Sequence, residues 1–529
     1  MLICTVLFAL TLTKVCLAAA GPNIPTQELD PQFWNRMAKS QINARLKMSH
    51  NYNTAKNVIF FIGDGLGPTT VTAARILKGQ LAGQPGEETV LAFERFPNVA
   101  LSKTYNVDRQ TPDSAGTASA MLSGVKTNYY LIGLNARASR ADCEGSKGKE
   151  MDTILDWAVR AGKRTGIVTT ARITHATPAA AYAHAADRYW EGDVNTKGIT
   201  SCRDIAQQLV DDNADINVLF GGGRRHFLPN TTADPETNTI DKNHRQDGRN
   251  LIEDWTKYQT SRGRRSAYVW NLDQFNAVNP TDTDYMLGLF EPNHMQYELE
   301  RNTSREPSIA MMTQKAIEVL RKGDNGYFLL VEGARIDHAH HDSLAKKALH
   351  ETISFEAAIS QAVAMTNQED TLIVVTGDHS HAFDIQGYSY RGLDILGLAD
   401  PLEEDEPTLD QKPYTILQYG NGPGYETPRK NLTGVDTHGN NYIFPSGVPV
   451  EWETHGGEDV AIYAQGPMAH LFYGVQEQNY IAHVMAYSAC IGPYTTSCDH
   501  GQPIECTSGC EHVSLHIYAF IALLFVSLV

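Results

Sequence analysis

Short runs of β-branched and aromatic residues recur along the chain at 58–62, 166–169, 217–220, 327–331, 371–375 and 460–464, each closing at or near a glycine. Apolar runs of this length without polar alternation predict strands buried on both faces of a mostly parallel sheet. Between them, apolar positions spaced for one helical face predict helices over 151–161, 204–210, 308–321 and 349–364. Strands alternating with helices define an α/β fold, a three-layer α/β/α sandwich around one large sheet. The stretch from about 383 to 453 breaks this rhythm, being rich in Gly, Pro, Tyr and Asn. It is read as a loop-rich insertion into a single domain, since no repeat or low-complexity linker is present.

Composition narrows the class. The chain has 529 residues, 42% hydrophobic and 20% charged, ordinary material for a large folded core. A net charge of -17 argues against nucleic-acid-specific binding, which needs a basic stripe, and fits carboxylates that bind cations. Residues 1–20 carry an apolar run from Leu2 to Leu12, interrupted at its end by Lys14, and close on Ala18-Ala19-Ala20, which reads as a secretory signal peptide. The apolar tail 513–529 carries no Lys or Arg after it, is short for a membrane span, and follows the small residues Thr507-Ser508-Gly509. It reads as a removed lipid-anchor (GPI) signal, placing the protein on the outer face of the cell membrane. The expected organisation is therefore signal peptide 1–20, catalytic domain 21–505 and anchor signal 506–529. Six of the eight cysteines remain after the leader is removed, an even number in an oxidising compartment, with Cys143–Cys202 and Cys490–Cys498 the expected disulfides. Sequons at Asn230, Asn302 and Asn431 imply surface glycosylation.

In an open α/β sheet, ligands bind beyond the carboxyl ends of the strands. The first run leads into Asp64, the fourth into Glu332, Asp337, His338, His340 and His341, and the fifth into Asp378, His379 and His381, while His455 precedes the sixth. Any one of these is more often a turn, cap or core residue. Four such segments on one sheet edge point to a metal centre. Histidine with carboxylate is a zinc-type set and carboxylates with a hydroxyl suit magnesium, so more than one metal is expected. Ser114 opens a run of small helix-compatible residues, 114–120. Locally it is a helix cap, yet a helix N-terminus also favours phosphate, and the metal-rich edge tips the reading towards a nucleophile. Nothing local singles out Arg188, although an arginine can fork two phosphate oxygens.

These residues also stand in the order of a known family. Ile62-Gly63-Asp64-Gly65, Thr111-Pro112-Asp113-Ser114-Ala115-Gly116-Thr117-Ala118, Val331-Glu332-Gly333, Arg335-Ile336-Asp337-His338, Thr376-Gly377-Asp378-His379-Ser380-His381 and His455-Gly456-Gly457-Glu458-Asp459-Val460 resemble the animal alkaline phosphatases across nearly the whole mature chain. The resemblance implies phosphate monoester hydrolysis through a phosphoserine on Ser114, with two zinc ions and one magnesium ion per subunit. One zinc falls to Asp337, His341 and His455, and the other to Asp64, Asp378 and His379 beside Ser114. Magnesium falls to Asp64, Thr177 and Glu332. Arg188 would clamp phosphate, His175 and His381 would act nearby, and His338 and His340 would be supporting or solvent-facing. A calcium site maps to Glu236, the Phe290 carbonyl, Glu291 and Glu306, with Glu306 in place of the usual Asp. The resemblance further implies a homodimer in which Tyr388, in a crown-like insertion, reaches the partner's site. A phosphodiesterase or sulfatase and a catalytically silent surface receptor are the rival readings, and the filled ligand positions weigh against the receptor.

Overall fold

The computed structural model describes residues 25–199, 201–400 and 408–496. The expected signal peptide, the anchor signal and Cys498 lie outside the described residues. Ten strands form the main sheet: β1 (Asn57–Gly63), β2 (Asn98–Lys103), β3 (Arg164–Arg172), β4 (Val218–Gly222), β5 (Ser266–Val269), β6 (Tyr285–Leu289), β7 (Tyr327–Gly333), β8 (Thr371–Gly377), β9 (Val460–Gln465) and β10 (Val475–Glu477). Their spatial order is β10-β2-β9-β8-β1-β7-β3-β4-β6-β5. Pairing from β8 across to β5 is parallel, and β9 runs antiparallel to both β8 and β2.

All six strand runs read from the sequence are present. The strands' alternation sends successive side chains to opposite faces, which builds two cores from continuous apolar runs. Phe60, Ile62, Leu330 and Val374 join one core with the helix α3 (Ser114–Ser123). Ile59, Phe61, Leu329 and Val375 join the other with the helix α4 (Ile309–Leu320). Both layers of the expected α/β/α sandwich are therefore accounted for by strand parity. Two further helices bear on the site: α5 (Arg335–His341), directly after β7, and α6 (Ala345–Met365).

The 383–453 stretch contains a two-stranded ribbon, Phe383–Ile385 with Leu417–Tyr419, amid turns. Phe383, Leu417, Tyr419 and Phe444 form a small core of their own against Ala73, Ala74 and Leu77 of the helix Pro68–Leu81. A second ribbon pairs His455–Gly456 with Ser380–His381. Its hydrogen bonds bring two sequence-distant histidines to the same edge of the sheet. The helix Pro31–Leu46 buries no residue and presents Trp34, Met37, Ile42 and Leu46 outward.

Candidate active site

Ser114 is the first residue of α3, and Asp113 is its N-cap, accepting from the Ala115 and Gly116 amides at 3.3 Å each. Asp113 also accepts from Asn106 Nδ2 at 3.0 Å, the Tyr130 amide at 3.0 Å and Arg188 Nη1 at 3.1 Å. One buried carboxylate thus fixes the helix start, a neighbouring loop and the arginine. Ser114 itself is buried, with Oγ 3.2 Å from Asp64 Oδ1 and 3.3 Å from His379 Nε2.

Strand ends supply the rest. Asp64 follows β1, Glu332 is the penultimate residue of β7, and Asp378 and His379 follow β8. The helical spacing of Asp337 and His341 on α5 puts both on one face, 3.3 Å apart, and His455 Nε2 reaches Asp337 Oδ1 at 3.2 Å and His341 Nε2 at 3.1 Å. Asp64, Asp378 and His379 bring one ligand atom each within 4.8 Å of one another. The two clusters meet where the His379 and His455 rings stack at 3.6 Å.

The donor sets fit cations. Asp64 Oδ2, Glu332 Oε1 and Thr177 Oγ1 are buried without a well-formed hydrogen bond, a costly state for three polar atoms unless an ion takes them. Burial, with repulsion between the carboxylates, pushes Asp64 well above its ordinary value, Asp378 up to about 6 and Glu332 up to about 7. Burial and neighbouring histidines hold His379 well below its usual range, and burial lowers His341 to about 4, leaving neutral rings with free lone pairs. Acceptors packed this closely, facing neutral imidazoles, are short of positive charge.

Arg188 lies beside Ser114 in the same pocket, between Asp113 and His175 Nε2, the latter at 3.3 Å. Burial and the charges of Arg188 and Arg172 lower His175 to about 3, so it is neutral. His381 differs. Burial opposes its charge, yet Glu453 and Asp337 push it up to about 10.

Glu453, a residue the sequence reading passed over, holds two of these histidines. Its Oε2 accepts from His381 Nδ1 at 2.5 Å and its main-chain carbonyl accepts from His341 Nδ1 at 2.5 Å. Both rings consequently turn Nε2 towards Asp337. Asp113 and His294 were also passed over; His294 packs on His338 at 4.2 Å and on His175 at 5.2 Å. No local pattern marks Glu453 or His294, whereas Asp113 stands directly before Ser114 in the motif 111–118. His340 is a buried structural histidine, bonded to Thr70 Oγ1 at 3.0 Å and the Tyr419 hydroxyl at 2.9 Å.

The remaining expectations fall elsewhere. Glu291 and Glu306 lie side by side; burial and Glu291 push Glu306 up to about 9, and Glu236 sits nearby, held by Arg224 at 2.9 Å and Arg305 at 3.1 Å. Phe290 is buried beside them. Tyr388 is 87% exposed. Cys143 and Cys202 form a disulfide, and Cys490 is disulfide-bonded. Asn230, Asn302 and Asn431 are exposed.

A helix-start serine, an arginine and clustered carboxylates and histidines at the carboxyl edge of an α/β sheet define a metal-dependent hydrolase acting on an anionic ester. The family model "Alkaline phosphatase" matches residues 55–491. The chain is 50% identical over 484 residues to the tissue-nonspecific alkaline phosphatase isozyme of Homo sapiens, covering 90% of this chain and 91% of that one. It is 50% identical over 477 residues to the alkaline phosphatase of Gadus morhua, covering 88% and 99% respectively. Among solved structures, Thermus thermophilus alkaline phosphatase superposes with a TM-score of 0.59 at 21% identity, covering 84% of this chain and 93% of that one, which speaks to the fold. The chain belongs to the alkaline phosphatase family. It is a phosphate monoester hydrolase that works with metal cofactors.

Proposed function

We propose that hydrolysis proceeds by two displacements at Ser114. Its Oγ attacks phosphorus, the ester oxygen leaves as the protonated alcohol, and the resulting phosphoserine is then opened by water to give inorganic phosphate and the free serine. The observation that carries this reading is the position of Ser114 Oγ, at a helix N-terminus and within 3.3 Å of both Asp64 and His379. Arg188 orients the phosphoryl oxygens, and Asp113 holds Arg188 in place. Neutral His175 fills the space beside the arginine without adding charge.

We assign zinc to Asp337, His341 and His455 and to Asp64, Asp378 and His379, magnesium to Asp64, Thr177 and Glu332, and calcium to Glu236, Phe290, Glu291 and Glu306. Bound there, divalent ions lower the pKa of attacking hydroxyls and offset charge on the transferring phosphoryl group. His381 positions Asp337. The reading extends to a secreted, glycosylated homodimer held on the outer membrane face by a GPI anchor, with the domain limits given above. The outward apolar face of Pro31–Leu46 and the exposure of Tyr388 support the dimer. Among the described residues no helix is long and apolar enough to cross a membrane.

Replacing Ser114 with Ala tests the core of this reading, using a chromogenic monoester with zinc and magnesium present. A loss of about 10³-fold or more in kcat is expected; full activity ends the proposal.

A further inference from the structure

The insertion holds a second cavity, about 280 Å³, bounded by the stretches 414–418, 424–432 and 442–447 and sharing no lining residue with the pocket at Ser114. That is close to the lower end of small-molecule sites, about 300 Å³. Three half-buried tyrosines, Tyr414, Tyr425 and Tyr442, line it together with the buried Leu432. Among the described residues none of their hydroxyls makes a hydrogen bond, and Lys430 Nζ and Gln418 Nε2, in the same lining, have no partner either. Ring faces beside unpaired hydroxyl, amide and ammonium groups suit a ligand with a C–H face and many hydroxyls, which is the chemistry of a sugar. A wholly apolar guest would bury these groups unpaired.

The sequence supplies a sugar at this place. Leu432 is the middle residue of the sequon Asn431-Leu432-Thr433. Asn431 is exposed, and its Oδ1 accepts from the Thr433 amide at 3.0 Å and from Thr433 Oγ1 at 2.8 Å. That leaves Nδ2, the atom that carries an N-linked glycan, without a partner among the described residues. A glycan attached there starts from the Cα next to that of Leu432, about 3.8 Å along the chain.

Resting on the secreted, glycosylated protein put forward above, we propose that this cavity is the seat of the N-linked glycan on Asn431, whose first N-acetylglucosamine lies against the tyrosines. The sugar's hydroxyls and acetamide pair with the tyrosine hydroxyls, Lys430 and Gln418, while its C–H face covers a ring. Seated there, one covalently tethered group touches three stretches of a segment with little regular structure of its own. The glycan thereby braces the insertion and leaves the chemistry at Ser114 untouched.

Native deglycosylation tests this. Full-length enzyme secreted from a eukaryotic cell line is treated, still folded and active on a phosphate monoester, with a peptide N-glycosidase. Site-resolved mass spectrometry follows release from Asn431, with the glycan on Asn302 or Asn230 as the internal reference. In the double variant Tyr425→Ala, Tyr442→Ala, release from Asn431 should accelerate roughly tenfold against the reference, with monoester turnover unchanged. The pair Tyr425→Phe, Tyr442→Phe loses only hydroxyls and should show a smaller acceleration; it decides the matter if the alanine pair fails to fold, as lost turnover would reveal. An unchanged release ratio in the folded variants overturns the seat while leaving the glycosylation intact. An Asn431 without glycan on the secreted, active enzyme faults the glycosylation reading itself, and the seat falls with it.

Discussion

Glu332→Gln should stabilise the metal-free protein while removing its response to magnesium. Glu332 is wholly buried, and its carboxyl keeps its proton up to about 7, against an ordinary 4.5. A carboxyl raised in this way favours folding below its unfolded value, and that contribution disappears as pH climbs through the folded value. At pH 8 the folded apoprotein must hold the charge, at a cost of about 3 kcal/mol. Glutamine carries no charge and can still accept the hydrogen bond that Thr169 Oγ1 donates to this side chain. In chelator at pH 8, denaturant unfolding should therefore find the variant more stable by about 3 kcal/mol, shrinking to under about 1 kcal/mol at pH 5. Magnesium reverses the order once it reaches a thousand times its Kd, where it adds about 4.1 kcal/mol to a protein that binds it, because the variant has lost a ligand. Equal stabilities in chelator at pH 8, with equal gains on adding magnesium, would refute the reasoning.

Substitutions at three other positions probe separate parts of the site. Arg188→Ala removes the proposed phosphate clamp, so kcat/KM should fall by at least about 10²-fold and inhibition by inorganic phosphate should weaken in parallel; Arg188→Lys should recover only part of the loss. Glu453→Gln should lower zinc affinity by about 10- to 100-fold in a chelator competition, because His381, which positions Asp337, loses the carboxylate that orients it, while the main-chain carbonyl that holds His341 is unchanged. Gly65→Ala should lose both stability and activity, since φ is 71° there and the added Cβ would meet the His381 ring; a thermal melt matching the parent protein would contradict this.

How much could be read beforehand follows from burial. β1, β7 and β8 are apolar at nearly every position because helices cover both faces, and such runs stand out without any alignment. β2 alternates burial, with Leu101 40% exposed, and so gave no continuous run. Pro31–Leu46 buries nothing, so no core-facing stripe announced it. The candidate metal ligands were legible because a parallel sheet gathers its strand ends on one edge, turning scattered Asp and His into a single cluster. Arg188 entered through family resemblance; in space its partner is Asp113, 75 residues away. Glu453 acts through a hydrogen bond that spans 72 residues, and in sequence it is one more acid in an irregular loop. Tyr130, whose amide donates to Asp113, was hidden for another reason: its φ of 70° is a conformation usually announced by glycine.

The central claim is that Ser114 itself carries the phosphoryl group. Mixing the metal-replete enzyme with a phosphate monoester, quenching in acid within the first turnovers and mapping peptides by mass spectrometry tests it directly. The account predicts phosphorylation on the peptide containing Ser114, absent in Ser114→Ala. A phosphoryl group trapped on another side chain, or a Ser114→Ala variant that still turns over at the parent rate, would contradict it.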